Sequence, residues 1–502
     1  MALKPFSASQ PAPAWATAST SRVLALLAVW LLVTLGLRPL LMPDEGRYAN
    51  VAREMMAGGT WVPTLNGLPF FHKPPLLYWL DMAAMQVFGV HAWSARAGPM
   101  VGGWLMGASL FLGARHWYGP RVATIALVAL ATSPFFFVGA QYVNHDLLVA
   151  GLITAAVLAF ARALEPPAQV GLGWLVLAWV ACALAMLAKG LIGFVLPALV
   201  VGPWMLAQGR WRQTARLFHP WAVLAGTAVA APWFIAMQLR FPGFFDYFFM
   251  EQHVRRFAQS TFNNLQPFWF FVLVLPLLTL PWSLWLPKAL RVGWRGGDTR
   301  TSLWLWWVLA VVGFFSLPSS KLVGYVMPAL APWSLLVALA LNSAPLRTVQ
   351  RMAALAALVC LGAVAVLAWR SPLGNRDLAR FLASNMAATD RVVMVDQAFH
   401  DVSFYARLAR PALITSDWAD PRIALQDNWR KELADAAGFD PALGRALLRP
   451  TSDLAHLACG PGTTWFVVAR AKASQMGAVG AAKPVFESQE SMLWRAPVQP
   501  CG

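Results

Sequence analysis

Charged side chains are scarce in this sequence. They make up 12% of its 502 residues, whereas hydrophobic residues make up 58% and tryptophan alone occurs 26 times. A soluble domain carries about 25% charged residues, so this composition excludes a soluble protein of the same length. The sequence therefore predicts a polytopic membrane protein.

The N-terminal region lacks a convincing small-residue cleavage site. We therefore interpret the first apolar run as an uncleaved signal anchor and residues 1–21 as a disordered cytoplasmic tail. Further runs are long enough to cross about 30 Å of hydrocarbon, and the stretch from Leu76 to Val90 is expected to be a re-entrant or interfacial helix. The eleven candidate spans cover residues 23–41, 93–113, 122–142, 147–163, 171–188, 190–207, 219–238, 267–287, 302–318, 322–341 and 352–369.

Acidic residues are also few: 22, against 39 Lys and Arg. Residues 1–370 hold 25 basic and 9 acidic residues, a balance of +16, and residues 371–502 hold 14 and 13, a balance of +1. The excess therefore belongs to the membrane part rather than to a nucleic-acid-binding surface. With a cytoplasmic N-terminus, alternating spans put the basic loops on the cytoplasmic side, as the positive-inside rule expects. The same alternation puts six acids on the outer face: Asp44, Glu45, Glu54, Asp146, Asp246 and Glu251.

The composition changes after Trp369. Residues 391–395, 412–415 and 464–469 are typical of buried strands, so residues 371–502 are expected to form a small α/β domain. An odd number of spans places this domain on the outer face, which is the periplasm of a Gram-negative host. Cys459 and Cys501 share it and could form a disulfide in an oxidising compartment, whereas the other two cysteines of the chain, Cys182 and Cys360, lie in spans.

Charged groups on the outer face predict chemistry at the membrane boundary. Lys73, Lys321 and an arginine are expected to hold a phosphate at headgroup depth, while Asp44 and Asp146 face a polar substrate. A single basic residue at this depth is explained by snorkelling, but several clusters on one face are not. His72, Glu251 and His253 have side chains suited to a divalent metal such as zinc, although no close ligand spacing ties them together.

Several motifs resemble those of one family. They are Asp44-Glu45-Gly46-Arg47-Tyr48, Phe71-His72-Lys73-Pro74-Pro75, Ala188-Lys189-Gly190, and Ser320-Lys321-Leu322 followed by Tyr325. In these motifs the chain resembles bacterial glycosyltransferases related to protein O-mannosyltransferases and, among them, the lipid A 4-amino-4-deoxy-L-arabinose transferases. The resemblance covers about residues 20–345.

This resemblance implies a GT-C fold, an all-α bundle of about 11–13 transmembrane helices with interfacial helices, spanning residues 22–370. It also implies an inner-membrane enzyme with a periplasmic active site, which moves a sugar with inversion from a polyprenyl-phosphate donor, in place of a nucleotide sugar, to lipid A or another glycolipid, glycan or protein acceptor. The residue roles that it implies are catalytic for Asp44 and Asp146, phosphate-binding for Lys73, Arg47, Lys321 and Tyr325, active-cavity for Glu45 and Glu251, and metal-binding for His253 and His72.

Two positions depart from the family pattern. His72 stands where that family has a glutamate ligand, so the metal site would have a different charge, and Phe70 stands where a tyrosine is expected. A transporter or flippase of a lipid-linked substrate is the alternative function. The clustering of charge at the outer boundary and the lack of paired discontinuous spans or an internal repeat favour the enzyme. A noncatalytic scaffold would leave the clustered charges unexplained.

Overall fold

The computed structural model describes residues 19–165, 171–255, 264–295, 299–370, 374–460, 462–480 and 483–496. Most of the predicted N-terminal tail lies outside the described residues. The membrane part contains α1 (Thr20–Leu32), α2 (Asp44–Ala57), α3 (Leu76–Phe88), α4 (Ala97–Ala131), α5 (Pro134–Gly139), α6 (His145–Ala163), α7 (Leu172–Lys189), α8 (Ile192–Ala207), α9 (Trp211–Thr214), α10 (Pro220–Arg240), a π-helix (Asp246–Arg255), α11 (Phe270–Leu278), α12 (Leu286–Arg295), α13 (Thr299–Ser316), α14 (Leu330–Leu341) and α15 (Leu346–Trp369).

Each of the eleven predicted apolar runs overlaps at least one of these helices, which confirms the helical membrane fold. Among the described residues, six helices are long and apolar enough to cross a membrane, or seven if the pair Phe270–Leu278 and Trp282–Trp294, bent by 112°, counts as one span. Two predicted runs, 93–113 and 122–142, meet in α4, which breaks at Gly119 (φ 85°) just before Pro120. The stretch predicted to be re-entrant or interfacial forms α3, a helix of 13 residues.

Small residues allow the central helices to pack closely. A Cβ at Gly151 would overlap the carbonyl oxygen of Gly102, and a Cβ at Gly102 would meet the backbone of Leu148. The backbones of α4 and α6 therefore touch at these glycines, as in membrane helix pairs held by van der Waals packing rather than by hydrophobic exclusion. This contact fixes the N-terminal turn of α6, with its polar residues, against α4.

The C-terminal part forms a six-stranded sheet. Its elements are α16 (Arg376–Asn385), β3 (Arg391–Val395), α17 (His400–Tyr405), β4 (Leu413–Ser416), α18 (Trp429–Phe439), α19 (Pro441–Leu447), β5 (Leu448–Pro450), α20 (Leu454–Leu457), β6 (Thr464–Ala469), β7 (Phe486–Glu487) and β8 (Ser491–Ala496), while β1 (Thr64–Leu65) and β2 (Leu68–Pro69) form a separate hairpin in the first outer loop. The strand order is β5-β4-β3-β6-β8-β7. Strands β5, β4, β3 and β6 run parallel, and β8 and β7 are antiparallel additions.

Two of the predicted strands, 391–395 and 464–469, have the predicted bounds, and the third is shifted by one residue. Alternating Val393 and Val395 bury one face of β3, whereas Val392 and Met394 bury the other, because a central parallel strand is covered on both sides. Cys459 is disulfide-bonded. Its predicted partner, Cys501, lies outside the described residues, and Cys182 and Cys360 are free and buried.

The C-terminal part is fixed by hydrogen bonds onto residues 42–75, which we call the first outer loop. Nδ2 of the Asn66 side chain donates to the backbone carbonyl of Ala412 at 2.8 Å, and Oδ1 accepts the backbone amide of Ala412 at 3.0 Å. Arg53 donates to the carbonyl of Leu408 at 3.0 Å. This docking brings α18, which is about 385 residues away in sequence, against the start of α2.

Candidate active site at the outer membrane boundary

Asp44 and Glu45 are the first two residues of α2, and they have different surroundings. Successive residues on a helix point about 100° apart. The Asp44 side chain is 35% exposed, and its Oδ1 lies 2.6 Å from Nη2 of Arg47, one helical turn further on. Asp44 therefore faces an accessible, cationic space.

Glu45 is fully buried among groups that satisfy it. Its carboxylate pairs with Arg38 and with Arg96, whose Nε lies 2.9 Å away, and it accepts the backbone amides of Leu41 at 2.9 Å and Val143 at 3.1 Å. Two cations and two backbone amides use the hydrogen-bonding capacity of this carboxylate. The structure thus places Glu45 in an interior cluster that joins three segments, rather than in a cavity.

Arg47 connects the first outer loop to the C-terminal part. It forms an ion pair with Glu432 of α18, and Nδ1 of His72 lies 3.5 Å from the same Glu432 oxygen. His72, Asp427 and Glu432 each offer a ligand atom within 4.8 Å of the others. Neither C-terminal carboxylate was predicted to belong to the site, because nothing in their local sequence shows that they approach His72.

The Glu432 carboxylate retains unused binding capacity. Burial raises the pKa of Glu432, and the positive charge of Arg47 opposes this shift. Oε2 of Glu432 and Nε of Arg47 are buried and have no hydrogen-bond partner. An imidazole with two carboxylates is a donor set that suits a divalent cation such as zinc, and the unpartnered oxygen fits this interpretation.

The second predicted catalytic carboxylate, Asp146, lies in the first turn of α6. Asn144 caps this helix by accepting the Asp146 amide at 3.2 Å. The carboxylate forms an ion pair with Lys189 at the end of α7, and Nζ of Lys189 lies 4.7 Å from the ring centre of Tyr325. A Cβ at position 324 would overlap the Asp146 carboxylate, so only glycine fits at Gly324. Lys189 had no predicted role, although the Ala188-Lys189-Gly190 motif marked its position.

His145, the first residue of α6, packs against residues of α2 and α3. Its ring contacts those of Tyr48 and Tyr78 edge-on at 4.8 and 5.2 Å. The two ring nitrogens and the Tyr78 hydroxyl are buried without a hydrogen-bond partner. Lys73, Lys189 and Arg47 are close enough to interact electrostatically with His145. The structure therefore brings Lys73 and Arg47 of the first loop together with Asp146 and Lys189.

The remaining predicted residues lie around this group. Nζ of Lys321 donates to the backbone carbonyls of Gln266, at 2.9 Å, and Pro318, and so holds two outer loops together. Glu251 lies 2.8 Å from Arg255 and 4.0 Å from Lys431, the neighbour of Glu432. The side chain of His253 lies outside the described part of the chain.

An apolar cavity of about 410 Å³ ends at Asp146. Its walls come from α5, the start of α6, α11, α15 and the turn at 323–327. Its residues are Pro134, Phe135, Val138, Gly139, Tyr142, Asn144, Asp146, Leu147, Leu278, Val323, Gly324, Met327 and Ala363. Such a cavity suits an amphiphile whose apolar part lies between helices and whose polar head reaches the charged group.

The fold is that of the GT-C class of membrane proteins, as the motif resemblance implied. The fold is similar to that of ArnT from Cupriavidus metallidurans in a crystal structure with bound undecaprenyl phosphate, with a TM-score of 0.82 at 24% identity over 96% of this chain and 100% of that chain. Residues 72–236 match the family model described as dolichyl-phosphate-mannose-protein mannosyltransferase.

Sequence relatives identify the family. The chain is 35% identical over 371 residues to the undecaprenyl phosphate-alpha-4-amino-4-deoxy-L-arabinose arabinosyl transferase of Pseudomonas aeruginosa strain UCBPP-PA14, over 71% of this chain and 67% of that protein. It is 36% identical over 326 residues to a second such transferase, from Sodalis glossinidius, over 63% of this chain and 58% of that protein. The chain belongs to this family of arabinosyl transferases.

Proposed function

We propose that this protein transfers 4-amino-4-deoxy-L-arabinose from an undecaprenyl-phosphate donor to a glycolipid acceptor of the envelope, lipid A first among them. The observation that carries the proposal is the apolar cavity that ends at Asp146 and its ion pair with Lys189. A polyprenyl chain is long and apolar and its phosphate is anionic, so one molecule satisfies both halves of this arrangement. The sugar and the carrier are those in the names of the family members.

Four cationic or aromatic groups are suited to the donor phosphate. Lys73 and Arg47 come from the first outer loop, and Lys189 with Tyr325 comes from the opposite side of the group. Lys321 contributes less to this set, because its Nζ already donates to two backbone carbonyls. When the anomeric carbon breaks its bond to the phosphate, negative charge builds up on the departing phosphate, and these cations stabilise it more than they stabilise the ground state.

Asp44 is placed to act on the acceptor. It is the accessible carboxylate of the group, and Arg47 orients it at 2.6 Å. An acceptor hydroxyl would give its proton to Asp44 as it attacks the face opposite the leaving phosphate, which inverts the configuration. If the attacking group is a phosphate oxygen, no strong base is needed, and Asp44 positions the acceptor instead.

His72, Asp427 and Glu432 are the residues that would hold a divalent metal, with zinc the ion that their donor set favours. His253, the other predicted ligand, is a candidate fourth donor from the π-helix. A bound cation would supply positive charge beside Arg47. The residues themselves fix the start of α18 against the first outer loop, and thereby the position of Arg47.

We place the protein in the bacterial inner membrane, with the site and the C-terminal part in the periplasm. The basic cytoplasmic loops support this orientation, as does the disulfide of Cys459, since such bonds persist in oxidising compartments. Residues 22–370 would form the catalytic membrane domain and residues 371–502 the periplasmic domain. The periplasmic domain supplies Glu432, so it completes the site rather than only covering it.

The test compares purified wild type with Asp44→Asn and Lys73→Ala. Transfer of aminoarabinose to lipid A is measured by mass spectrometry of the glycolipid. We expect the rate of transfer to fall by at least about a thousandfold in both variants. Arg445→Gln, on the periplasmic domain, is the control and should retain activity. Full activity of both site variants would contradict the proposal, and glycolipid modification that persists in cells with Asp44→Asn would favour the transport alternative.

A further inference from the structure

A second cavity on the outer face is rich in arginine. It has a volume of about 350 Å³ and lies between the end of α1, the loop before Ser94–Arg96, and helices α16 and α17. Four arginines line it: Arg38, Arg376, Arg380 and Arg407, with His91 beside them. Among the described residues that line it, none is an aspartate or a glutamate.

Two of these arginines are already compensated by carboxylates. Arg38 pairs with Glu45, and Nε of Arg376 lies 3.5 Å from Asp377, which is outside the lining. Within the described part of the chain, no carboxylate lies within 4.0 Å of Arg380 or Arg407. Arg407 donates to the backbone carbonyl of Val90 at 3.2 Å, which holds its guanidinium at the cavity. Arg380 and Arg407 are thus two like charges beside one concave space, and an anion bound between them would relieve their repulsion.

Exposed apolar residues next to the cavity indicate the depth at which it lies in the membrane. Leu37, Val87 and Phe88 are 62%, 73% and 57% exposed, although all three are strongly apolar. They flank the lining residues Gly36 and Val90 in sequence, and Trp93, a residue type enriched at the membrane interface, lines the cavity itself. The cavity therefore opens at the level of the lipid headgroups rather than into the periplasmic solution.

We propose that this cavity binds the phosphate headgroup of an anionic membrane phospholipid. Arginine forks bind phosphate oxygens in pairs, and an acyl chain would extend along the exposed apolar residues beside the cavity. Because Trp93 and Val90 belong to the membrane part and Arg380 and Arg407 to the C-terminal part, the bound lipid would join the two. This site is separate from the transfer reaction and does not depend on the proposed substrate.

The experiment uses the full-length protein, purified in detergent and depleted of lipid. Phosphatidylglycerol, phosphatidylcholine or inorganic phosphate is added, and bound molecules are counted by native mass spectrometry. The test variant is Arg380→Gln/Arg407→Gln. The matched control is Arg410→Gln/Arg445→Gln, which removes the same charge from arginines of the C-terminal part outside this cavity.

We expect wild type and the control to bind phosphatidylglycerol in preference to phosphatidylcholine, and the test variant to bind it about tenfold or more weakly. Each single substitution, Arg380→Gln or Arg407→Gln, should produce part of this loss. Equal binding by the test and control variants would overturn the proposal. Occupancy by inorganic phosphate without retention of phosphatidylglycerol would overturn the lipid assignment and leave a site for free phosphate.

Discussion

Asp44 and Glu45 are adjacent acidic residues at the start of one helix, yet the fold uses them differently. Glu45 is fully buried and its carboxylate is satisfied by two arginines and two backbone amides. Asp44 is 35% exposed and has Arg47 as its ion-pair partner. A carboxylate that holds the fold together has its binding capacity filled by the protein, whereas the site around Asp44 leaves capacity for a ligand.

The unpartnered atoms of the site support the same distinction. Oε2 of Glu432 and both ring nitrogens of His145 are buried without hydrogen bonds, which is costly in a folded protein. The comparison can be tested by substitutions that remove one kind of charge at a time.

The largest effect is expected for Glu45→Gln. The substitution leaves Arg38 and Arg96 buried without a counter-charge, and breaking a buried ion pair from one side costs about 3–5 kcal/mol. We expect a marked fall in the thermal midpoint of unfolding of the purified protein and in the yield of monodisperse material.

Asp44→Asn is the matched control for that substitution, because it removes one carboxylate charge from the neighbouring position. Its thermal midpoint should remain close to that of wild type while its transfer activity is lost. If the two variants had the same stability, the assignment of Glu45 to the fold and of Asp44 to the site would be wrong.

Lys189→Met should mainly affect activity. It removes the counter-charge of Asp146 and a cation beside the proposed phosphate position, so we expect turnover to fall by about a hundredfold or more. Initial rates at saturating donor measure this effect. Lys288→Met is the control, because Lys288 lies 5.6 Å from the ring of Trp285 in a similar lysine–aromatic pair away from the site. Equal losses in both variants would show that Lys189 has only a structural role.

Asp401 extends the comparison to a buried carboxylate without a cationic partner. Burial raises its pKa to about 6, against about 3.9 in an unfolded chain. Between these values the folded protein holds a proton that the unfolded chain has released, so this group lowers stability as the pH rises from about 4 to about 6, by about 3 kcal/mol in total.

Replacing Asp401 with asparagine should remove this contribution. The difference in thermal midpoint between Asp401→Asn and wild type should therefore move in favour of the variant between pH 4.5 and pH 7. Asn375, which donates to both Asp401 oxygens, can still donate to the remaining carbonyl oxygen. A difference that does not change with pH would contradict the raised pKa.

The smallest effect is expected for Arg255→Gln. Arg255 is 54% exposed and lies 2.8 Å from Glu251, and such surface ion pairs contribute about 0.2–1 kcal/mol. The thermal midpoint should change little, and the change should be smaller still at high salt. A fall in thermal midpoint as large as that of Glu45→Gln would show that exposure does not decide how much an ion pair contributes to the stability of this protein.

The membrane class, the positions of the helices and two strands were predictable from the sequence, because hydrophobic runs and their period follow from local residue order. Asp44, Lys73 and Asp146 were predicted as site candidates from the charged groups that the spans place on one face and from the family resemblance of their motifs. The role of Glu45 in the buried cluster was not predicted, since neither the depth of α2 nor the contact of Glu45 with Arg96 is visible in the sequence.

The sequence alone determined that this chain crosses a membrane and carries acids and cations between its apolar runs. Only the tertiary structure decided which of those charges meet. Glu432 reaches Arg47 across 385 residues, and Lys189 reaches Asp146 from the end of another helix. Such pairs depend on helix packing and on the docking of the C-terminal sheet, which are set by shape complementarity over the whole chain rather than by any local pattern.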